Sequence, residues 1–214
     1  MKKRIFVTAT NTDIGKTYTT KLLLKEFASR GLRVGVIKPI ETGVKEVAFD
    51  GDSLLELLKT LNIEAKDLKR EDVVPITYEL PAAPFIASNN KKFDFALLDS
   101  AIEKLESLCD ILIIEGAGGL YVPIDENLMM IDLIKHLKAS ALLVTHCSLG
   151  CINDTLLSQK ALHDRGIEFS TAFNCRSEDE SFSVVSEPYF KHINESVLKV
   201  DGDIDTICDV LYNL

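Results

Sequence analysis

The chain lacks the basic surface and the long apolar run that mark several large protein classes. Its 214 residues carry a formal net charge of −9. This charge argues against general nucleic-acid binding, which needs a basic face to displace counterions. No segment reaches the roughly 18 apolar residues that cross a bilayer, and no small-residue cleavage site follows the basic start MKKRIFVTAT. We therefore expect a cytoplasmic protein that binds neither nucleic acid nor membrane.

Cysteine and histidine are also sparse. The five cysteines are odd in number and form no C-x-x-C pair, and the four histidines are scattered. This pattern argues against a disulfide framework and against a zinc site. We therefore expect the cysteines to be small, buried apolar side chains. They are Cys109, Cys147, Cys151, Cys175 and Cys208.

Strand and helix patterns alternate along the chain. Short apolar runs predict strands at residues 4–9, 33–39, 109–119, 140–146 and 167–174. Helical spacing predicts helices at residues 16–31, 52–61, 94–108, 129–138, 151–166 and 203–213, with another near 180–192 before a short strand. Residues 41–51 read as a polar loop, and residues 64–91 as a loop that leads into a short helix.

This alternation predicts an α/β protein with a mostly parallel sheet. Several of the strands are apolar throughout, as expected for strands that helices cover on both faces. The chain is 46% apolar and 27% charged, which is ordinary for one globular domain of this length. No internal repeat, low-complexity tract or linker is visible. We therefore predict a single domain over residues 1–214.

The first predicted strand runs into the segment ATNTDIGKT at residues 9–17. A phosphate-binding loop usually has a glycine five residues before the glycine of its Gly-Lys-Thr, but here that position is Thr10. The strand–loop–helix order still presents backbone N–H groups and a helix dipole to an anion. Lys16 adds a charge for phosphate, and Thr17 a hydroxyl for Mg²⁺. We therefore predict a P-loop NTPase-type fold; an ordinary loop with Gly-Lys-Thr is the alternative.

Polar residues follow other predicted strands, at the sheet edge where parallel sheets bind ligands. Glu115 ends an apolar strand and needs a cation there, either Mg²⁺ or a structural lysine. Lys38 fits a surface position or, beside a P-loop, a second cation for an anionic transition state. Asp52 fits a helix N-cap or a Mg²⁺ ligand. These alternatives stay open on the residues alone.

Five segments, in order, cover most of the first 155 residues and carry a more specific signal than the P-loop. They are FVTATNTDIGKT (6–17), IKPIETG (37–43), GDSL (51–54), IIEGAGGLYVPI (113–124) and LGCIND (149–154). Together they resemble the dethiobiotin synthetases, the ATP-dependent enzymes that close the ureido ring in biotin biosynthesis. The family's loop carries five residues between its glycines, which accounts for the spacing, although Ala9 replaces the leading glycine here.

The resemblance implies a reaction. 7,8-Diaminopelargonic acid takes up CO₂ as a carbamate on one amine, and ATP phosphorylates the carbamate to a carbamic-phosphoric anhydride. The second amine then closes the ring and releases phosphate. Phosphoryl transfer depends on positioning and charge neutralisation. The implied cofactors are ATP and Mg²⁺.

The resemblance also implies roles for individual residues. Those around the phosphates are Asp13, Ile14, Gly15, Lys16, Thr17 and Tyr18. Those that complete the nucleotide site are Asp52, Glu115, Gly116, Ala117, Gly118 and Asn174. The implied Mg²⁺ ligands are Thr17, Asp52 and Glu115. The implied catalytic cations, which neutralise the carbamate and the transferring phosphoryl group, are Lys16 and Lys38.

Substrate contacts are implied as well. Thr12, Thr42 and Gly118 would lie against the diamine or the carbamate. The family is a homodimer whose partner chain helps to hold the substrate carboxylate. Gly150 and Asn153 open a predicted helix, whose N–H groups suit a carboxylate, although a plain helix start explains them equally well.

The C-terminal part departs from the family. Asn174 matches an asparagine that reads the purine in relatives. Nothing after Asn174 matches the proline-, leucine- and glycine-containing segment that covers the base. We therefore predict weaker or less selective nucleotide binding than in typical relatives.

Two other classes of P-loop protein fit less well. A switch ATPase of the partitioning type would carry a signature lysine at the position of Asn11. A small-metabolite kinase would often supply arginines in a mobile lid, and no arginine-rich segment is present. A binding module without catalysis would leave Glu115 and Lys38 unexplained.

Overall fold

The computed structural model describes residues 2–177, 179 and 181–214. Its strands are β1 (Lys3–Ala9), β2 (Val34–Ile37), β3 (Ile40–Thr42), β4 (Ile76–Tyr78), β5 (Ile111–Gly119), β6 (Pro123–Asp125), β7 (Leu128–Met129), β8 (Ser140–His146), β9 (Phe169–Asn174) and β10 (Leu198–Lys199). Its helices are α1 (Lys16–Ser29), α2 (Phe49–Leu61), α3 (Arg70–Val73), α4 (Pro84–Ala87), α5 (Phe95–Leu108), α6 (Met130–His136), α7 (Cys151–Asp164), α8 (Phe182–Val185), α9 (Glu187–His192) and α10 (Ile204–Asn213).

Six strands form one parallel sheet in the order β10-β9-β8-β1-β5-β2. Neighbouring residues of a strand point to opposite faces. Ile5, Phe6 and Val7 of the central strand are all fully buried, so helices cover both faces. Helices α1, α2 and α10 pack on the sheet as one group, and α5, α6 and α7 contact it as another. The predicted α/β fold with a mostly parallel sheet is confirmed.

The strand register brings the predicted polar residues together. β5 pairs with β1 so that Glu115 lies opposite Val7, and with β2 so that Ile114 lies opposite Ile37. Lys38 follows Ile37 directly and therefore lies beside Glu115. The loop after β1 leads into α1 at the same edge of the sheet. This edge is where a parallel sheet binds its ligands.

The predicted loop at residues 41–51 is wrong at both ends. Residues 40–42 form β3, which pairs with β4, and α2 begins at Phe49. At this start, the carboxylate of Glu41 accepts the N–H groups of Asp50 and Gly51. The earlier start brings Asp50 into the first turn of the helix.

The predicted helix near residues 180–192 is two short helices, α8 and α9, separated at Ser186. Pro188 near the start of α9 cannot donate the N–H that a continuous helix would need. Residue 180 lies outside the described residues. Across the part of the chain that the structure describes, no helix is long and apolar enough to span a membrane.

Two of the five cysteines differ from expectation. Cys147 and Cys175 form a disulfide between the ends of β8 and β9. Cys109, Cys151 and Cys208 are free and buried, as predicted. Burial raises the pKa of the Cys109 and Cys208 thiols to about 12. These two thiols are therefore poor nucleophiles at neutral pH.

The disulfide predicts a specific thiol count. The unreduced protein should show three reactive thiols in denaturant, and the reduced protein should show five. A Cys175→Ser variant should show four in both states. Loss of the cross-link over a sequence separation of 28 residues should lower the free energy of unfolding by about 3 kcal/mol. A count of five without reduction would contradict the cross-link.

Candidate active site

The loop between β1 and α1 has the backbone that a bound anion requires. Asp13 and Gly15 both adopt left-handed conformations, with φ of 58° and 98°. A Cβ on Gly15 would lie 2.1 Å from Nδ2 of Asn174, which would have to move, and other residues rarely adopt a φ of 98°. Gly15 caps α1, whose first turn leaves N–H groups without a helical partner.

A cavity of about 850 Å³ opens at the carboxyl ends of β1, β2 and β5. Most of the residues predicted for the site line it. They are Thr12, Asp13, Gly15, Lys16, Thr17, Lys38, Thr42, Gly116, Ala117 and Gly118. The structure therefore brings the P-loop, the residue after β2 and the glycine-rich end of β5 around one space.

An ion-pair network around the buried Lys38 and Glu115 lies at the wall of this cavity. Nζ of Lys38 lies 2.6 Å from Oε1 of Glu115 and 2.7 Å from Oδ2 of Asp50. The hydroxyl of Thr17 donates to the same Oε1 over 2.8 Å. Burial would lower the pKa of Lys38, but the two carboxylates outweigh it and hold that pKa above its usual range. Lys38 is therefore a permanent cation.

Lys16 provides a second buried cation. It is 8% exposed, and its Nζ donates to the backbone oxygen of Asn11 over 3.0 Å. Burial, and then the charge of Lys38, lower the pKa of Lys16 to about 8. The positive charges of Lys16 and Lys38 repel one another, and a multiply charged anion bound beside them would offset this repulsion.

The oxygen atoms around Lys38 fit a magnesium ion. Oε2 of Glu115 is buried and has no hydrogen-bond partner among the residues that the structure describes. Asp50 adds a carboxylate. Burial would raise the pKa of Asp50, but Lys38 and Thr17 outweigh it and hold that pKa below its usual range. Residues 2–177, 179 and 181–214 contain no group of three His, Cys, Asp or Glu side chains suited to a metal. Two carboxylates and a hydroxyl suit Mg²⁺, which usually completes its shell with phosphates and waters.

Asp52, predicted as a Mg²⁺ ligand, does not line the cavity. Its carboxylate pairs with Arg70 over 2.6 and 2.7 Å and accepts the N–H of Ala48. Side chains two residues apart lie on opposite sides of a helix, so Asp50 and Asp52 cannot both face Lys38. The structure therefore places the carboxylate of Asp50 at Lys38 and that of Asp52 at Arg70.

Four other predicted residues, Asn174, Tyr18, Gly150 and Asn153, do not line the cavity. Nδ2 of Asn174 donates to the backbone oxygen of Ile14 over 2.8 Å, so this pair supports the P-loop from outside. The half-exposed Tyr18 donates from its hydroxyl to Asp201. Gly150 caps α7, and Asn153 lies in the first turn of that helix. The structure does not bring Tyr18, Gly150 or Asn153 to the cavity of its own chain.

Several residues that line the cavity were not predicted from the sequence. Glu41, Asp50 and Arg176 are the charged ones, and Pro81 and Pro84 bracket an apolar wall. Arg176 donates to the backbone oxygen of Asp13. Glu41 lies inside IKPIETG, so the motif held a signal. No sequence signal pointed to Arg176, because it contacts the P-loop from a distant part of the chain.

The chain is similar in sequence and in fold to known proteins. A family model described as an AAA domain matches residues 3–210. ATP-dependent dethiobiotin synthetase BioD of Sulfurovum sp. (strain NBC37-1) is 48% identical over 87% of this chain and 89% of its own. The protein of the same name from Wolinella succinogenes is 34% identical over 98% of both chains. A solved plasmid partition protein from Borrelia burgdorferi, 9% identical, superposes with a TM-score of 0.60 over 99% of this chain and 98% of its own, and shares the fold alone.

The tight fit at Gly15 predicts a large difference between two glycine variants. Gly15→Ala should weaken ATP binding by about tenfold or more, since a methyl group would strain the left-handed loop and displace Asn174. Gly202→Ala is the matched control, because open space surrounds Gly202. Calorimetric titration with ATP measures both. Equal affinities would show that the loop does not need this conformation.

Proposed function

The chain belongs to the family of the ATP-dependent dethiobiotin synthetases, and we propose that it converts 7,8-diaminopelargonic acid, CO₂ and ATP to dethiobiotin, ADP and phosphate. The observation that carries this proposal is the contact of the buried Lys38 and Glu115 with Asp50 and Thr17 beside the P-loop. Such a network suits positioning and charge neutralisation, and the proposed reaction needs no nucleophile from the protein.

In the proposed reaction, the P-loop and Lys16 hold the β- and γ-phosphates of ATP. A carbamate oxygen of the substrate attacks the γ-phosphorus, and ADP leaves. Lys38 neutralises charge on the carbamate and on the transferring phosphoryl group. The second, unprotonated amine then attacks the carbamoyl carbon, phosphate leaves and the ring closes. Thr12, Thr42 and Gly118 line the cavity where the diamine would lie.

We propose Thr17, Asp50 and Glu115 as the residues that hold Mg²⁺. The support is the orphaned Oε2 of Glu115 and the convergence of the three oxygen ligands around Lys38. When bound, Mg²⁺ would neutralise charge on the phosphates. The choice of Asp50 over Asp52 follows from the ion pair that holds Asp52 against Arg70.

A homodimer is the proposed assembly. Gly150 and Asn153 do not line the cavity of their own chain, which is expected if they serve the substrate of a partner chain. Leu149, beside them, is 87% exposed, so its apolar side chain is available to a partner chain. A single domain and a cytoplasmic location are also proposed. A sheet that joins β1 and β10, from opposite ends of the chain, supports the first.

Diamine-dependent ADP release tests the proposed reaction. With MgATP and bicarbonate, ADP should form only when 7,8-diaminopelargonic acid is present, together with the cyclic product. Lys38→Met should lower the rate about a hundredfold or more while ATP still binds, and Lys25→Met, at an exposed position, should not. Turnover that ignores the diamine would favour a switch ATPase, whose fold the partition protein shares.

Two neighbouring aspartates test the proposed metal ligands. Asp50→Asn should raise the Mg²⁺ concentration for half-maximal turnover about tenfold or more, because a ligand loses its charge. Asp52→Asn should leave that concentration unchanged and lower the melting temperature, since it weakens the pair with Arg70. A Mg²⁺ titration and a thermal melt of each variant measure these effects. If Asp52→Asn raised the Mg²⁺ concentration for half-maximal turnover and Asp50→Asn did not, Asp52 would be the ligand instead.

Base selectivity is a separate prediction. Because no segment after Asn174 matches the family's base-covering one, ATP should be preferred over GTP by less than about tenfold. Competition between the two nucleotides in calorimetric titration measures the ratio. Tight discrimination equal to that of typical relatives would contradict the prediction.

A further inference from the structure

Helix α2 begins without a cap of its own. Its N-cap residue is Ala48, whose side chain has no oxygen to accept the free N–H groups of the first turn. Glu41 of β3 accepts two of them instead. Its Oε1 lies 3.1 Å from the backbone nitrogen of Asp50, and its Oε2 lies 2.9 Å from that of Gly51. The start of α2 is therefore capped by a residue of strand β3.

The contact between Glu41 and the helix is close and well enclosed. Glu41 is 6% exposed, and its strand is held by the pairing of β3 with β4. A Cβ on Gly51 would lie 2.9 Å from Oε2 of Glu41 and 2.0 Å from Cγ2 of Val74. Only glycine lets the helix come this close to the carboxylate. Glu41 and Gly51 thus form a matched pair.

This cap acts on the residue that faces Lys38. The backbone N–H of Asp50 binds Glu41, while its carboxylate lies 2.7 Å from Nζ of Lys38. The side chain of Asp50 is 45% exposed, so packing alone holds it loosely. The direction of its carboxylate depends on where its backbone is fixed.

We propose that Glu41 is a positioning residue, which fixes the start of α2 so that the carboxylate of Asp50 stays at Lys38 and in the Mg²⁺ site. The inference rests on the proposed Mg²⁺ ligands and adds a residue that would act through one of them. Residues that orient a ligand in this way commonly change metal affinity by ten- to a hundredfold. Glu41 would set metal affinity without touching the metal.

Metal binding to the ADP complex tests this role without catalysis. Mn²⁺, followed by its electron paramagnetic resonance, is the probe. Glu41→Ala should weaken Mn²⁺ binding about tenfold or more, and Glu41→Gln, which keeps one acceptor oxygen, should fall between it and the wild type. Asp94→Ala is the matched control, because Asp94 caps the start of α5 by accepting the N–H of Leu97 and does not line the cavity. It should bind Mn²⁺ as the wild type does.

A second measurement needs no metal. Hydrogen exchange of the amides at residues 49–52 should rise in Glu41→Ala, while the affinity for ADP alone stays unchanged. Unchanged Mn²⁺ affinity in Glu41→Ala would overturn the proposal. A raised KM for the diamine beside that result would assign Glu41 to substrate contact instead.

The two proposals fail in different ways. Absence of diamine-dependent turnover in the wild type would refute the proposed reaction and leave the Mn²⁺ comparison of the Glu41 variants valid. Absence of Mn²⁺ binding in the wild-type ADP complex would overturn the role of Glu41 as well, since there would be no metal site to support.

Discussion

The contact between Lys38 and Glu115 is the constraint on which the site depends. Removing two charges from water costs several kcal/mol per ion unless each finds good partners. β2 and β5 align the pair, Asp50 and Thr17 supply the additional contacts, and these join α2 and α1 to the sheet. The pair therefore links the P-loop, the central sheet and the next helix into one electrostatic unit.

The sequence predicted the parts of this unit that depend on local pattern. Glu115 and Lys38 follow apolar runs, and a parallel sheet brings the ends of such runs together. The sequence alone could not show which of Asp50 and Asp52 faces Lys38, because this depends on the residue at which α2 begins. That start is fixed by Glu41, on another strand, rather than by Ala48 beside it. Side chains two residues apart on a helix point in nearly opposite directions, so the residue at which α2 begins decides which aspartate faces Lys38.

Long-range neighbours account for the other differences. Cys147 and Cys175 meet only because β8 and β9 are adjacent in the sheet, and no local spacing indicates that pairing. Asn174 was identified by resemblance, but its contact with Ile14 and its closeness to Gly15 come from the packing of the strand ends. The sequence therefore predicted the fold class and the P-loop well, and the contacts between distant segments poorly.

The order of the strands also has a consequence for synthesis on the ribosome. β1 is made well before its two partners, which begin only at Ile111 and Ser140. Until those residues emerge, an apolar strand with two unpaired edges has no sheet to join. Native pairing must wait for most of the chain, so the nascent protein passes through a long window in which aggregation competes with folding and chaperones would be of use.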